Sequence, residues 1–138
     1  ALDLSLADAR FAPDVLEAAA RRAVAAWAEA VDGDDAALLE VATPEAVAKL
    51  LYGGDESRKT RIVVRGPRVR QIKITAVDVS REPATMTIAL EVGGRRYVED
   101  RDTAAVVSGS KTRAVTFRQS WPLRLTGGAT NPWRVDDP

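Results

Sequence analysis

The 138 residues include no cysteine and no histidine. Without thiols there can be no disulfide staple, no thiolate zinc site and no cysteine nucleophile. Without imidazole there can be no Ser-His-Asp triad and no HExxH metalloprotease helix. Long apolar runs are missing too, and nothing approaches the roughly 18 residues of a membrane span. Residues 1–10 lack the basic and apolar regions of a signal peptide. Neither sign of charge predominates, with 20 Lys plus Arg against 20 Asp plus Glu. That balance argues against a nucleic-acid module driven by bulk electrostatics. No GxGxxG or Walker A stretch occurs, and Asp32-Gly33-Asp34-Asp35 lacks the spacing and closing Glu of a calcium loop. No metal, cofactor or nucleic acid is therefore expected.

The length suits one domain over residues 1–138, with 1–10 a linker or short helix, and is enough to bury a real core. The chain begins at Ala1 and its one methionine is Met86, so it is expected to be processed or cut from a longer protein, with room for an anchor upstream. Arginine outnumbers lysine 16 to 4, a bias that goes with GC-rich codons and points to a bacterium.

The balanced total conceals a gradient. Residues 1–52 hold ten acidic and four basic side chains, a balance of −6, and residues 53–81 hold eight basic and three acidic, a balance of +5. The sign changes at Gly53-Gly54, where the periodicity also changes. Before it, Leu16, Ala20, Ala23, Trp27 and Val31 recur at helical steps, behind Pro13 and Asp14 as a helix start. Asp32-Gly33-Asp34 ends that helix. A short helix is expected over Ala36 to Val41. A third opens at Thr43-Pro44-Glu45, carries Val47, Leu50 and Leu51, and stops at Gly53-Gly54.

After the switch the pattern is that of strands. Arg61 to Arg65 is a β-branched run that Gly66-Pro67 is expected to end. Ile72, Ile74, Val77 and Val79 alternate with a slip at Ala76, the mark of a bulge. Met86, Ile88, Leu90 and Val92 alternate cleanly, and Gly93-Gly94 reads as a two-residue hairpin turn. Arg95 to Val107 is then the return strand and Ser108-Gly109-Ser110 the next turn. Val115, Phe117, Gln119, Trp121, Leu123 and Leu125 share one face of a long strand. Gly127 to Pro132 is a loop before a last strand, Trp133-Arg134-Val135. Helices followed by antiparallel strands make an α+β fold. The expected shape is a cone, with N-terminal helices packed in a strongly curved, mostly antiparallel sheet and a pocket at the open end.

This order of elements resembles the nuclear-transport-factor-two-like superfamily. Particular stretches resemble one branch of it, the C-terminal domain of the mitochondrial inner-membrane import-motor tether (translocase of the inner membrane, subunit forty-four) and its bacterial relatives. They are Ala26-Trp27-Ala28-Glu29-Ala30 with Asp32, Leu38-Leu39, Thr43-Pro44-Glu45, Thr116-Phe117-Arg118-Gln119-Ser120-Trp121 and Asn131-Pro132-Trp133-Arg134-Val135. The likeness covers about residues 11–136. Gln119 departs from it, because the branch commonly has an acidic residue there. The resemblance implies a non-enzymatic binding or tethering domain near a membrane, contacting a partner protein or anionic lipid, with a membrane anchor elsewhere in the protein. It also implies an alternative, since other branches are pocket enzymes such as isomerases and dehydratases.

The residues that could act sort into three sets. An acid-base pocket would draw on Asp78, Glu99, Asp100 or Asp102, with Tyr97 or Tyr52 as phenol partner; the same acids also suit a solvated strand with cross-strand ion pairs. A ligand pocket would be lined by Trp27, Tyr52, Tyr97, Phe117, Gln119 and Trp121, residues that equally suit plain core. Trp133 is expected to cap the sheet end. An anionic partner or lipid would meet the basic run of Arg58 and Lys59 with Arg61, Arg65, Arg68, Arg70 and Lys73. Alternation puts Arg61 with Arg65, and Arg68 with Arg70, on shared faces. A charged strand edge that discourages aggregation has the same look. A homodimer through the outer face of the sheet stays open as a third arrangement.

Overall fold

The computed structural model describes residues 9–53, 55, 57–80, 82–128 and 132–136. Most of the expected N-terminal linker, Gly54 and Asn131 lie outside them. Ala9–Phe11 form a single 3-10 turn. Helix α1 runs Pro13–Val31, with Pro13 in its first turn and Asp14 at its positive end. Its buried stripe is Leu16, Ala19, Ala20, Ala23, Val24, Trp27, Ala30 and Val31. The alanines let the sheet come close, and Trp27 fills the remaining depth. Helix α2, Ala36–Leu39, stops short of Val41. Helix α3, Pro44–Tyr52, begins where the Thr43 hydroxyl accepts from the Ala46 amide at 3.2 Å and ends at Gly53, whose φ is +61°.

Five strands follow: β1 Thr60–Asp78, β2 Thr85–Asp100, β3 Val106–Gly109, β4 Val115–Leu125 and β5 Trp133–Val135. All pairings between them are antiparallel, in the order β1-β2-β4-β5, with β3 also on β2. β3 pairs residues 97–99 of β2 and β4 pairs residues 85–94, so the two lie end to end along one side of it. The other side belongs to β1, which is an edge strand.

Two sequence expectations are corrected here. Gly66-Pro67 does not end a strand, and Gly93-Gly94 is not a hairpin turn. β1 passes through Gly66 as a bulge, with a register shift between Arg65 and Arg68. Gly93 and Gly94 lie opposite that bulge, inside β2. A Cβ on Gly94 would sit 2.7 Å from Val64 Cγ1 and 3.2 Å from the Arg65 carbonyl. Glycine is required there by close approach of two strands, not by a turn. The chain reverses instead at 101–105, where the Asp100 carboxylate accepts from the Asp102 and Thr103 amides. The expected return strand is therefore the end of β2, a turn and the start of β3, and Ser108 and Gly109 are strand residues. The slip at Ala76 is a register shift between Ile74 and Ala76, and a third shift falls between Val69 and Gln71.

Each bulge increases the local twist, and three in one ladder curl the sheet into a half-barrel around α1. The concave side presents Met86, Ile88, Leu90, Val92, Trp121 and Leu123 to the helices. Trp27 meets Trp121 edge-on with centroids 5.5 Å apart and Phe117 at 6.3 Å. At the far end Trp133 packs against Phe11 at 5.8 Å and donates to the Arg10 carbonyl at 3.1 Å. Val135 bonds Val41 and Thr43, so β5 closes the sheet onto the α2–α3 connection.

Candidate functional site

The aromatic set does not enclose one pocket. Trp27 and Trp121 are each 1% exposed and belong to the core. Tyr52 and Tyr97 are buried, with their hydroxyls committed. Tyr52 donates to Asp35 Oδ2 at 2.7 Å, and Tyr97 accepts from Arg65 Nε at 3.1 Å. Arg58 and Arg101 lie over the Tyr52 ring at 4.7 and 5.2 Å. Arg96 covers Phe117 at 4.7 Å. Gln119 and Trp121 share an open cleft of about 270 Å³ between β4, α3 and Arg96. Gln119 Oε1 accepts from Trp121 Nε1 at 2.8 Å, which answers the need of a half-buried amide for a partner. Replacing Gln119 with leucine is expected to cost about 1–3 kcal/mol, because it strands a buried indole donor. Gln119→Glu, which keeps the acceptor, should retain more stability in the same urea titration.

The candidate acids do not form one constellation. Asp78 lies at one end of the β1–β2 ladder, opposite Thr85, and Glu99 and Asp100 lie at the other. Asp78 accepts from the Ser80 amide and hydroxyl. Asp100 holds the 101–105 turn, and the Thr103 and then the Asp102 amide keep its carboxyl below the usual range. Asp55 is held low in the same way, first by the Ser57 hydroxyl. A carboxyl that accepts several hydrogen bonds is stabilised as the anion, the opposite of what a general acid needs. Among the described residues no group of acidic side chains could hold a metal ion.

The basic run divides by destination. Arg61 and Arg65 share a face, as alternation predicts, but that face carries them onto the C-terminal end of α1. Arg61 donates to the Ala30 carbonyl at 2.7 Å and to Asp35 Oδ1 at 3.0 Å. Arg65 donates to the Asp32 carbonyl at 3.1 Å and its carboxylate at 2.9 Å. The Asp32 carboxylate, then the Tyr97 hydroxyl, raise the Arg65 guanidinium above its ordinary range. The last turn of α1 contains no basic residue. The two arginines of β1 supply the donors and positive charge that a helix C-terminus lacks. Their inclusion in an outward anionic site is corrected for Arg61, whose side chain is 13% exposed. Arg65 keeps an exposed portion.

Arg68, Arg70 and Lys73 are different. All three are exposed on β1, and among the described residues none makes a hydrogen bond or ion pair. Val69 and Val77 on the same strand pair with Val92 and Met86 and so belong to its concave face, where they stay partly exposed, as does Val79 just beyond the strand. Between this strand and α1 run two adjoining clefts of about 460 and 510 Å³ that share Arg21 and Ile72. A further cleft of about 470 Å³ lies over the Gly66 bulge and reaches Arg95 of β2 and Thr116 of β4. Sequence reasoning missed Arg95, because a turn at Gly93-Gly94 would have placed it on a different strand position. No helix among the described residues is long and apolar enough to cross a membrane.

No protein-family model matches the chain, and no curated protein matches it. Among solved structures, the intermembrane-space region of the chloroplast protein ARC6 is similar, with a TM-score of 0.53 over 91% of this chain and 92% of that one. The two sequences are 13% identical, so the likeness is one of fold alone.

Proposed function

We propose that this chain is a non-enzymatic binding or tethering domain that works against a membrane and meets anionic lipid through the outer edge of β1. The observation that carries the reading is the strip of Arg68, Arg70 and Lys73, three exposed cations whose side chains have no partner among the described residues. A row of cations that the protein does not neutralise suits an anionic headgroup layer. Two copies pairing through this edge would bring the cations together, which disfavours self-association there. The resemblance to the import-motor tether's C-terminal domain supports the same reading. So does a fold shared with a region that lies between two membranes. The alternative of a pocket enzyme has less support, since Trp27 and Phe117 fill the space that the aromatic set would have framed.

Each cation near an anionic surface contributes about 1 kcal/mol, so the strip together is worth about a hundredfold in affinity. Reversing Arg68, Arg70 and Lys73 to glutamate should abolish co-flotation with phosphatidylserine-containing liposomes while the thermal midpoint stays put. Salt should weaken the wild-type interaction steeply, because the charges are exposed. Flotation that survives both the reversal and high salt would remove the strip from the account.

A further inference from the structure

We infer that the cleft over the β1 bulge is a binding site for a phosphate monoester. The cleft stands on its own geometry; that its ligand arrives as a lipid headgroup rests on the membrane reading above.

Four arginines line this cleft of about 470 Å³: Arg65, Arg68, Arg70 and Arg95. No carboxylate lines it. Arg65 and Arg95 are direct cross-strand partners, an unfavourable placement for like charges. Asp32 offsets Arg65 alone. Among the described residues the Arg95 side chain donates only to the Lys111 carbonyl, at a long 3.5 Å, and the Arg68 and Arg70 side chains have no partner. The fold therefore holds guanidiniums together that it does not neutralise. A multivalent anion between them would relieve that repulsion.

The floor is made for close approach. Gly66 has a φ of +61° and nothing within 4 Å of where a Cβ would be. Arg68 pairs with Gly93, and the Arg70 guanidinium lies over Gly93, whose Cβ would be 3.2 Å from Arg70 Nε. Glycines leave the space between the guanidiniums free of side chains. Thr116, opposite Gly93 on β4, adds a hydroxyl at the rim. Planar guanidinium forks match the oxygens of phosphate, and several forks favour a dianion with three terminal oxygens over a singly charged diester.

The test uses glycerol 3-phosphate in solution, and phosphatidylcholine vesicles with either phosphatidic acid or phosphatidylserine at matched surface charge. Arg95→Ala removes one fork without touching the Arg68–Lys73 strip, and Gly93→Ala displaces Arg70. Lys73→Ala, outside the cleft, is the control. Both cleft variants should keep the wild-type thermal midpoint, since Arg95→Ala also relieves the Arg65 contact. The cleft predicts phosphatidic acid bound about tenfold more tightly than phosphatidylserine, a preference lost in Arg95→Ala and Gly93→Ala and kept in Lys73→Ala. Glycerol 3-phosphate that shifts the amides of Gly66, Gly93, Gly94 and Thr116 in the wild type but not in Arg95→Ala, with no vesicle binding, would keep the site. It would assign a soluble ligand and sink the membrane reading instead. Equal binding of the two lipids together with no localised shift by glycerol 3-phosphate would overturn the cleft and leave the strip standing.

Discussion

Trp27→Ala is expected to destabilise the fold by about 3–5 kcal/mol, the range for emptying a large buried aromatic site. That is a large share of the roughly 5–15 kcal/mol that holds a typical domain together. The cost follows from where Trp27 sits. It is the largest side chain that α1 sends into the half-barrel, it is 1% exposed, and it touches both Trp121 and Phe117. Its buried neighbours on the same helix are Ala23, Val24, Ala30 and Val31, short side chains fixed to the helix that cannot collapse into the gap. Trp27→Phe should cost much less. The Trp27 indole nitrogen is buried with no hydrogen-bond partner among the described residues, so phenylalanine removes an unsatisfied donor along with some volume. Trp121→Phe should be worse than Trp27→Phe, because it breaks the bond to Gln119. Guanidinium denaturation of the four proteins gives the order directly.

Arg61→Ala should cost about 2 kcal/mol, against almost nothing for Arg68→Ala. Arg61 links three elements: the Ala30 carbonyl at the end of α1, Asp35 ahead of α2, and through Asp35 the Tyr52 hydroxyl of α3. Removing it leaves a carbonyl and a part-buried carboxylate short of a donor, and hydrogen bonds to charged groups contribute about 1.5–3 kcal/mol. The partial exposure of Asp35, 25%, keeps the figure below that of a fully buried pair. Arg61→Lys should not rescue it, since a single ammonium cannot span the carbonyl and the carboxylate as a fork does. Arg65→Ala should fall between, at about 1 kcal/mol or less, because its pair with Asp32 is 44% and 39% exposed. These stabilities decide which arginines can be reversed in a binding experiment without unfolding the protein.

The helices were readable because their signals are local. Pro13 with Asp14, and Thr43 with Pro44 and Glu45, specify starts that need no distant partner. Clean alternation through Met86, Ile88, Leu90 and Val92 gave the concave face of the sheet in the same way. The two glycine sites look like turns in the sequence because a bulge and a turn demand the same residues. Gly66-Pro67 and Gly93-Gly94 face each other across one ladder, and only that pairing shows that Gly66 takes the left-handed φ of the bulge and that Gly94 admits the β1 backbone. The basic run is legible in the sequence, but its division is not. Alternation puts Arg61 and Arg65 on one face without saying that α1 ends beneath it. One signal did exist: the last turn of α1 has no cation of its own, so its carbonyls had to find donors elsewhere. For Arg95 there was no comparable signal, since its place beside Arg65 depends on β2 running straight through Gly93-Gly94.

The most direct measurement is amide line broadening in the isotope-labelled domain when spin-labelled anionic vesicles are added. Broadening concentrated on residues 68–73 of β1 and on Gly93 to Arg95 of β2, with α1 and β5 unaffected, is the predicted result. Broadening centred on the helices, or none at any vesicle concentration, would contradict a membrane-facing β1 edge.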